Sequence, residues 1–167
     1  MDIHPVIVHF PVALITLYAL SEILPISKWL PSINTTSLKT LLLIFGSLGA
    51  IAAIFTGSIA EDLISDPDTR KIISIHETFA YLTTYIFCTI LLARLISWFF
   101  VKYPELSNSR FSFFRSAANF ILSRWVVIAL SVLGLISIIT TGALGGIIVY
   151  GPTTDPFTKT IHSLLIK

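Results

Sequence analysis

Four long apolar stretches, separated by short polar or basic connections, dominate the chain at about Pro5–Ile26, Leu38–Ile59, Lys71–Phe100 and Ile121–Val149. Each is long enough to cross a hydrocarbon core, which takes roughly 20 residues of helix. Few residues remain for a soluble domain, so residues 1–167 are expected to form one all-α polytopic membrane domain, a four-transmembrane-helix bundle with short interfacial helices. The first stretch leaves no room for a basic n-region and lacks a small-residue cleavage site, so it reads as a retained helix rather than a signal peptide. Between Asn108 and Phe120, basic residues (Arg110, Arg115) mix with aromatic ones (Phe111, Phe113, Phe114, Phe120) beside the bilayer, which predicts an interfacial helix. It serves either as a lipid or partner dock or as an aromatic-anchored connector. Pro156 can open a second short helix that runs through Leu165 and carries His162. No internal repeat or low-complexity tract is evident.

Composition agrees with this pattern. Only 12% of the residues are charged, where a soluble domain carries about a quarter. The placement of the charges sets orientation. Lys28 and Lys39 lie in the first connection and Lys102, Arg110, Arg115 and Arg124 in the third, with Arg94 close by, which makes these loops cytoplasmic. The second connection is dominated by Glu61, Asp62, Asp66 and Asp68, and the five N-terminal residues have no Lys or Arg. Both termini and the acidic loop are therefore expected outside, in the multi-pass topology of a bacterial inner-membrane protein. The net charge of +2 follows from this topology and points to no nucleic-acid partner.

This orientation gathers all four histidines, His4, His9, His76 and His162, at one membrane face. Imidazole is the commonest biological metal ligand, and an ionisable group embedded in a membrane helix is costly to keep unless it has a use. With Pro5 as first helical residue, His9 lies about 6 Å below the helix end. If the third helix starts near Lys71, His76 sits at a similar depth, and two imidazoles on different helices suit a tetrapyrrole iron approached from both faces. Gly57, Gly142, Gly145 and Gly146 fall in the same outer half and would clear room for a macrocycle, although such residues also serve close helix packing.

The run His4-Pro5-Val6-Ile7-Val8-His9-Phe10-Pro11-Val12-Ala13-Leu14, the stretch Thr56-Gly57-Ser58-Ile59-Ala60-Glu61, the later His76-Glu77-Thr78-Phe79-Ala80 and the run Gly142-Ala143-Leu144-Gly145-Gly146 resemble the bacterial membrane family catalogued as domain of unknown function 2231. The resemblance covers nearly all of the chain and implies four membrane helices. It also implies a redox setting, since members are fused to or encoded beside Rieske iron–sulfur and cytochrome c modules. His162 lies outside the shared motifs.

Other features narrow the chemistry. There is no Cys-x-x-Cys-His for covalent haem, and Met1 is the only methionine, so a haem would be noncovalent with histidine ligands. Cys88 stands alone in the third stretch, where an inert thiol is expected and no intrachain disulfide can form. The acidic loop lacks the ordered spacing of a calcium site. Glu77 cannot bond to its helical neighbour His76 and would have to act on His4, His9 or His162. Glu22 and Arg94, near the cytoplasmic ends of the first and third helices, can pair or snorkel separately.

Three functions fit these residues. The first is electron transfer by b-type haem, one on His9 and His76 or two using all four histidines, in contact with cytochrome c or Rieske-type partners or as a subunit of a redox complex. The second is a copper or zinc site of three or four imidazoles. The third is a cofactor-free scaffold subunit of a respiratory or photosynthetic assembly. The topology beneath all three is directly testable: a reporter at Asp66 or after Lys167 should behave as extracytoplasmic and one at Asn108 as cytoplasmic, and the reverse pattern would dissolve the shared histidine face.

Overall fold

The computed structural model of the chain describes residues 4–62, 64–105, 112–151 and 156–166. Seven helices follow in order: α1 (His4–Ile23), α2 (Ile26–Trp29), α3 (Thr35–Glu61), α4 (Pro67–Lys102), α5 (Ser112–Ile121), α6 (Arg124–Tyr150) and α7 (Pro156–Leu165), with no strand among the described residues. Four of them, α1, α3, α4 and α6, are long and apolar enough to cross a membrane.

Local capping chemistry moves the helix starts away from the edges of the apolar runs. The Asn34 side chain accepts a hydrogen bond from the Ser37 N–H at 3.1 Å, so α3 begins at Thr35 rather than near Leu38. Asp66 accepts from both the hydroxyl and the N–H of Thr69, at 2.5 and 2.9 Å, and Pro67 occupies the first turn, so α4 starts four residues before Lys71. The Thr69 hydroxyl, followed by its N–H, holds the Asp66 carboxyl below the usual aspartate range. This cap is complete above the ordinary aspartate pKa and fades as pH falls through the lowered value. The fourth apolar run divides: Ser123, with ψ of 142°, ends the continuity between α5 and α6, which begins at Arg124 instead of Ile121. The interfacial element is α5, from Ser112, while Asn108, Arg110 and Phe111 lie outside the described residues. Its Phe113, Phe114 and Phe120 are exposed, as befits an anchor in a lipid interface.

The spans pack in a ring in the order α1, α3, α4, α6, which places α1 and α4 on one diagonal and α3 and α6 on the other. Large apolar side chains such as Phe45, Phe55, Leu92 and Ile136 point outward, where lipid is the solvent. The interior holds smaller and more polar groups, including Ser47, Thr83, Ser131, Ser137 and Thr140. Burial in lipid gives no hydrophobic gain between helices, so close approach and hydrogen bonding hold the bundle. Two glycines mark the tightest approaches. A Cβ on Gly46 would lie 2.7 Å from Ile15 Cγ1, and one on Gly134 would lie 2.5 Å from Phe87 Cε2 and Cζ.

These contacts expose an internal repeat that the residue pattern hides. Gly46 meets Ile15 and Gly57 meets His4; Gly134 meets Phe87 and Gly145 meets His76. In each hairpin the two glycines, and the two residues they meet, are eleven positions apart, close to three helical turns. The α1–α3 hairpin and the α4–α6 hairpin therefore share one packing register. The sequences differ at most other positions, so no repeat shows in the residue letters.

At the end of the bundle formed by the C-termini of α1 and α4, Glu22 on α1 meets Arg94 on α4 at 2.5 Å and Lys39 on α3 at 2.8 Å. The expected choice between pairing and separate snorkelling is thus settled as pairing, with Lys39 as an unforeseen third member. The Glu22 side chain is only 8% exposed, and the two cations beside it offset the cost of its burial. Arg94 also lies over the Tyr18 ring, 5.6 Å from its centroid, and Tyr18 packs edge-on against Phe87.

Two substitutions follow from this packing. Gly134→Ala should destabilise the bundle by about 1–3 kcal/mol in thermal unfolding in detergent, because Phe87 is a rigid ring with a packed surround, whereas Gly142→Ala, which meets nothing within 4 Å, should be near neutral. Glu22→Ala leaves the half-buried Lys39 and Arg94 without their carboxylate and should cost about 1–3 kcal/mol in the same assay.

Candidate functional site

The opposite end of the bundle, where the histidines gather, is built from the first residue of α1 and the third turn of α4. His4 Nδ1 lies 3.0 Å from Thr56 Oγ1 on α3. The Thr56 hydroxyl donates its own proton to the Ala53 carbonyl at 3.1 Å, so it accepts from the His4 Nδ1–H. His76 Nδ1 lies 2.9 Å from the Thr141 carbonyl on α6, which can only accept. Partner chemistry therefore assigns both imidazoles the same tautomer, with the proton on Nδ1 and Nε2 as the basic nitrogen. That is the orientation a histidine takes when Nε2 binds a metal and Nδ1–H is held by an outer partner. Further bonds brace the anchor: Thr141 donates to the Ser137 carbonyl, and Ser137 donates across to the Phe79 carbonyl of α4, each at 2.8 Å.

The two rings belong to diagonal helices, and helical phase indicates how they face. His4 and Glu22 are eighteen residues apart, as are His76 and Arg94, and eighteen residues complete five turns. Glu22 and Arg94 touch across the bundle, so the faces that carry them also carry the two histidines into the same interior. His4 lies within electrostatic range of His76.

His9 does not share this arrangement. It is exposed, and its Nδ1–H is directed to the Pro5 carbonyl of its own helix. The expected depth match with His76 assumed that α4 began near Lys71; with α4 beginning at Pro67 and the hairpins in register, the residue level with His76 is His4. His9 follows His4 by five residues, about 140° around the helix, and so leaves the interior face. His162 is half-buried on α7, which lies against α6 where Thr158 approaches Gly146. Among the described residues, no three His, Cys, Asp or Glu side chains come together in a group suited to a metal ion.

The glycines have more local tasks than the clearing of a large space. A Cβ on Gly57 would stand 3.1 Å from His4 Cε1, and one on Gly145 would stand 3.4 Å from His76 Cε1, so each glycine makes room for an imidazole. Gly146 faces α7, and Gly142 has nothing within 4 Å. Glu77 turns to Glu61, whose carboxyl lies within hydrogen-bonding reach, rather than to an imidazole. Cys88 is half-buried beside Ser47, away from the histidines. The residues overlooked in the sequence are Thr56 and Thr141. The signal was present in the recurrence of Thr-Gly at 56–57 and 141–142, near the C-terminal ends of two parallel spans.

No curated protein and no solved structure matches the chain. The family model described as "Predicted membrane protein (DUF2231)" matches residues 1–154, which include α1 to α6 and every residue of the histidine layer except His162. The chain belongs to this family of membrane proteins.

Proposed function

We propose that this protein is a membrane-bound electron-transfer protein that would hold b-type haem at the outer end of its bundle through the imidazoles of His4 and His76. The observation that carries this reading is the matched pair of imidazoles on diagonal helices, each with Nδ1–H committed to an anchor and Nε2 left as the basic nitrogen. The donor set suits a macrocycle, which needs only two protein ligands, better than a copper or zinc ion that requires three or four. When bound, haem supplies one-electron redox chemistry. The chain's own residues supply the rest. Thr56 and the Thr141 carbonyl set the rotation and tautomer of the rings, and Gly57 and Gly145 leave space beside them. The surrounding apolar spans separate the site from bulk water.

The setting belongs to the same proposal: a bacterial cytoplasmic membrane, with both termini and the histidine layer outside, and redox proteins of the cytochrome c or Rieske type as partners. His9, exposed and bonded within its own helix, is not a ligand in this reading.

Reduced-minus-oxidised spectra and haem quantitation on purified protein test the proposal. Ala at His4 or His76 should abolish most haem retention, His9→Ala should leave it intact, and Thr56→Val should weaken it by about tenfold, the usual scale for loss of an outer partner. Protein that holds no haem under ample supply, or full retention in both His4→Ala and His76→Ala, overturns the reading in favour of the metal-ion or scaffold functions.

A further inference from the structure

Hydroxyl groups in this chain habitually bond to a carbonyl one turn back. Thr40, Thr78, Thr84, Thr140 and Thr141 all do so, at 2.8–2.9 Å. Ser47, Thr83 and Ser131 do not, although the same kind of carbonyl is within reach of any helical Ser or Thr. Their residues are 2%, 6% and 0% exposed; the Thr83 and Ser131 oxygens have no hydrogen-bond partner, and the Ser47 oxygen has only the weakly bonding Cys88 thiol beside it. Tyr18, fully buried, brings a fourth hydroxyl up to Glu22 and Arg94 at the charged end of the bundle. A hydroxyl that forgoes its local acceptor inside a bundle is aimed at something else, and the usual occupant of a polar interior is water.

The register of the hairpins gives these oxygens an order. Thr83 lies seven residues below His76, Ser47 ten below Gly57, and Ser131 fourteen below Gly145, level with Tyr18, fourteen below His4. At 1.5 Å per residue, they stand about 10, 15 and 21 Å beneath the histidine layer, and Glu22 and Arg94 stand at about 27 Å. The axial steps between them are within the span of one or two waters. The series crosses the apolar thickness and ends on a cluster of charges enclosed in the bundle, and ionisable groups so placed in membrane proteins mark ion and proton pathways.

We propose that Thr83, Ser47, Ser131 and Tyr18 line a hydrated path that carries protons along the bundle axis between Glu22 at the inner end and the outer polar layer. The path is independent of a haem at the outer end. Each hydroxyl both donates and accepts, so a proton can pass from water to water through it without a net charge resting on the side chain.

The full-length protein in phosphatidylcholine–phosphatidylglycerol vesicles, with a trapped pH-sensitive dye and a potassium–valinomycin potential, provides the test. Proton entry should be several-fold faster than in protein-free vesicles. Thr83→Val and Ser131→Ala should each slow it several-fold, while Thr84→Val, whose hydroxyl is already bonded to the Ala80 carbonyl, should conduct as the wild type does. Circular dichroism checks the fold, and Ser47→Ala replaces any variant that loses helix content. A wild-type rate no greater than that of empty vesicles overturns the proposal by showing that any interior water is fixed. Wild-type conduction in the folded Thr83→Val and Ser131→Ala proteins overturns it as well.

Discussion

The close approach of helix backbones at Gly46 and Gly134 is the constraint on which the rest of the molecule depends. In lipid, apolar side chains gain little by leaving one neighbour for another, so a hairpin's register comes from the few places where only a missing side chain lets two helices meet. Ile15 seats over Gly46 and Phe87 over Gly134. Once those two contacts are made, three turns of helix bring His4 over Gly57 and His76 over Gly145, with no further freedom to slide. The histidine layer is a downstream result of apolar packing nearer the middle of the bundle.

The distribution of polarity follows the same physics. A soluble bundle hides large apolar residues and displays charges. Here many Phe, Leu and Ile side chains face outward, while Ser, Thr, Gly and a salt-bridged triad are enclosed beside a compact apolar cluster that includes Ile15, Leu43, Phe87 and Ile90. Glu22 alone would be untenable in such a place. Flanked by Lys39 and Arg94, it ties three of the four spans together at one end, while Thr56 and Thr141 tie adjacent spans at the other. The two ends are thus fastened by directional bonds and the middle by shape.

How much of this could be read from the residues varies with the range of the interaction. The four spans and the C-terminal helix were legible because length and hydropathy are properties of contiguous sequence. Their starts were less so, since Asn34 and Asp66 extend α3 and α4 beyond the apolar runs by capping. The pairing of His9 with His76 assumed a later start for α4, and a shift of four residues there changes which histidine is level with His76. Thr56 and Thr141 stood in plain view, but their value as anchors depends on which helix lies alongside, and that is a three-dimensional fact. The hairpin repeat was hidden because it is carried by glycine spacing and contact register rather than by residue identity.

Glu22 and Arg94 occupy corresponding positions in the two hairpins, yet carry opposite charges. Two copies of the first hairpin brought together in the same way would set carboxylate against carboxylate, and two copies of the second would set guanidinium against guanidinium. Like charges enclosed at that depth would repel with little solvent to soften them. Only the mixed pairing satisfies the axis. Whatever symmetry the packing register preserves, this one ion pair gives each half a complementary identity, and it makes the covalent chain the assembly of two unlike partners rather than a doubled one.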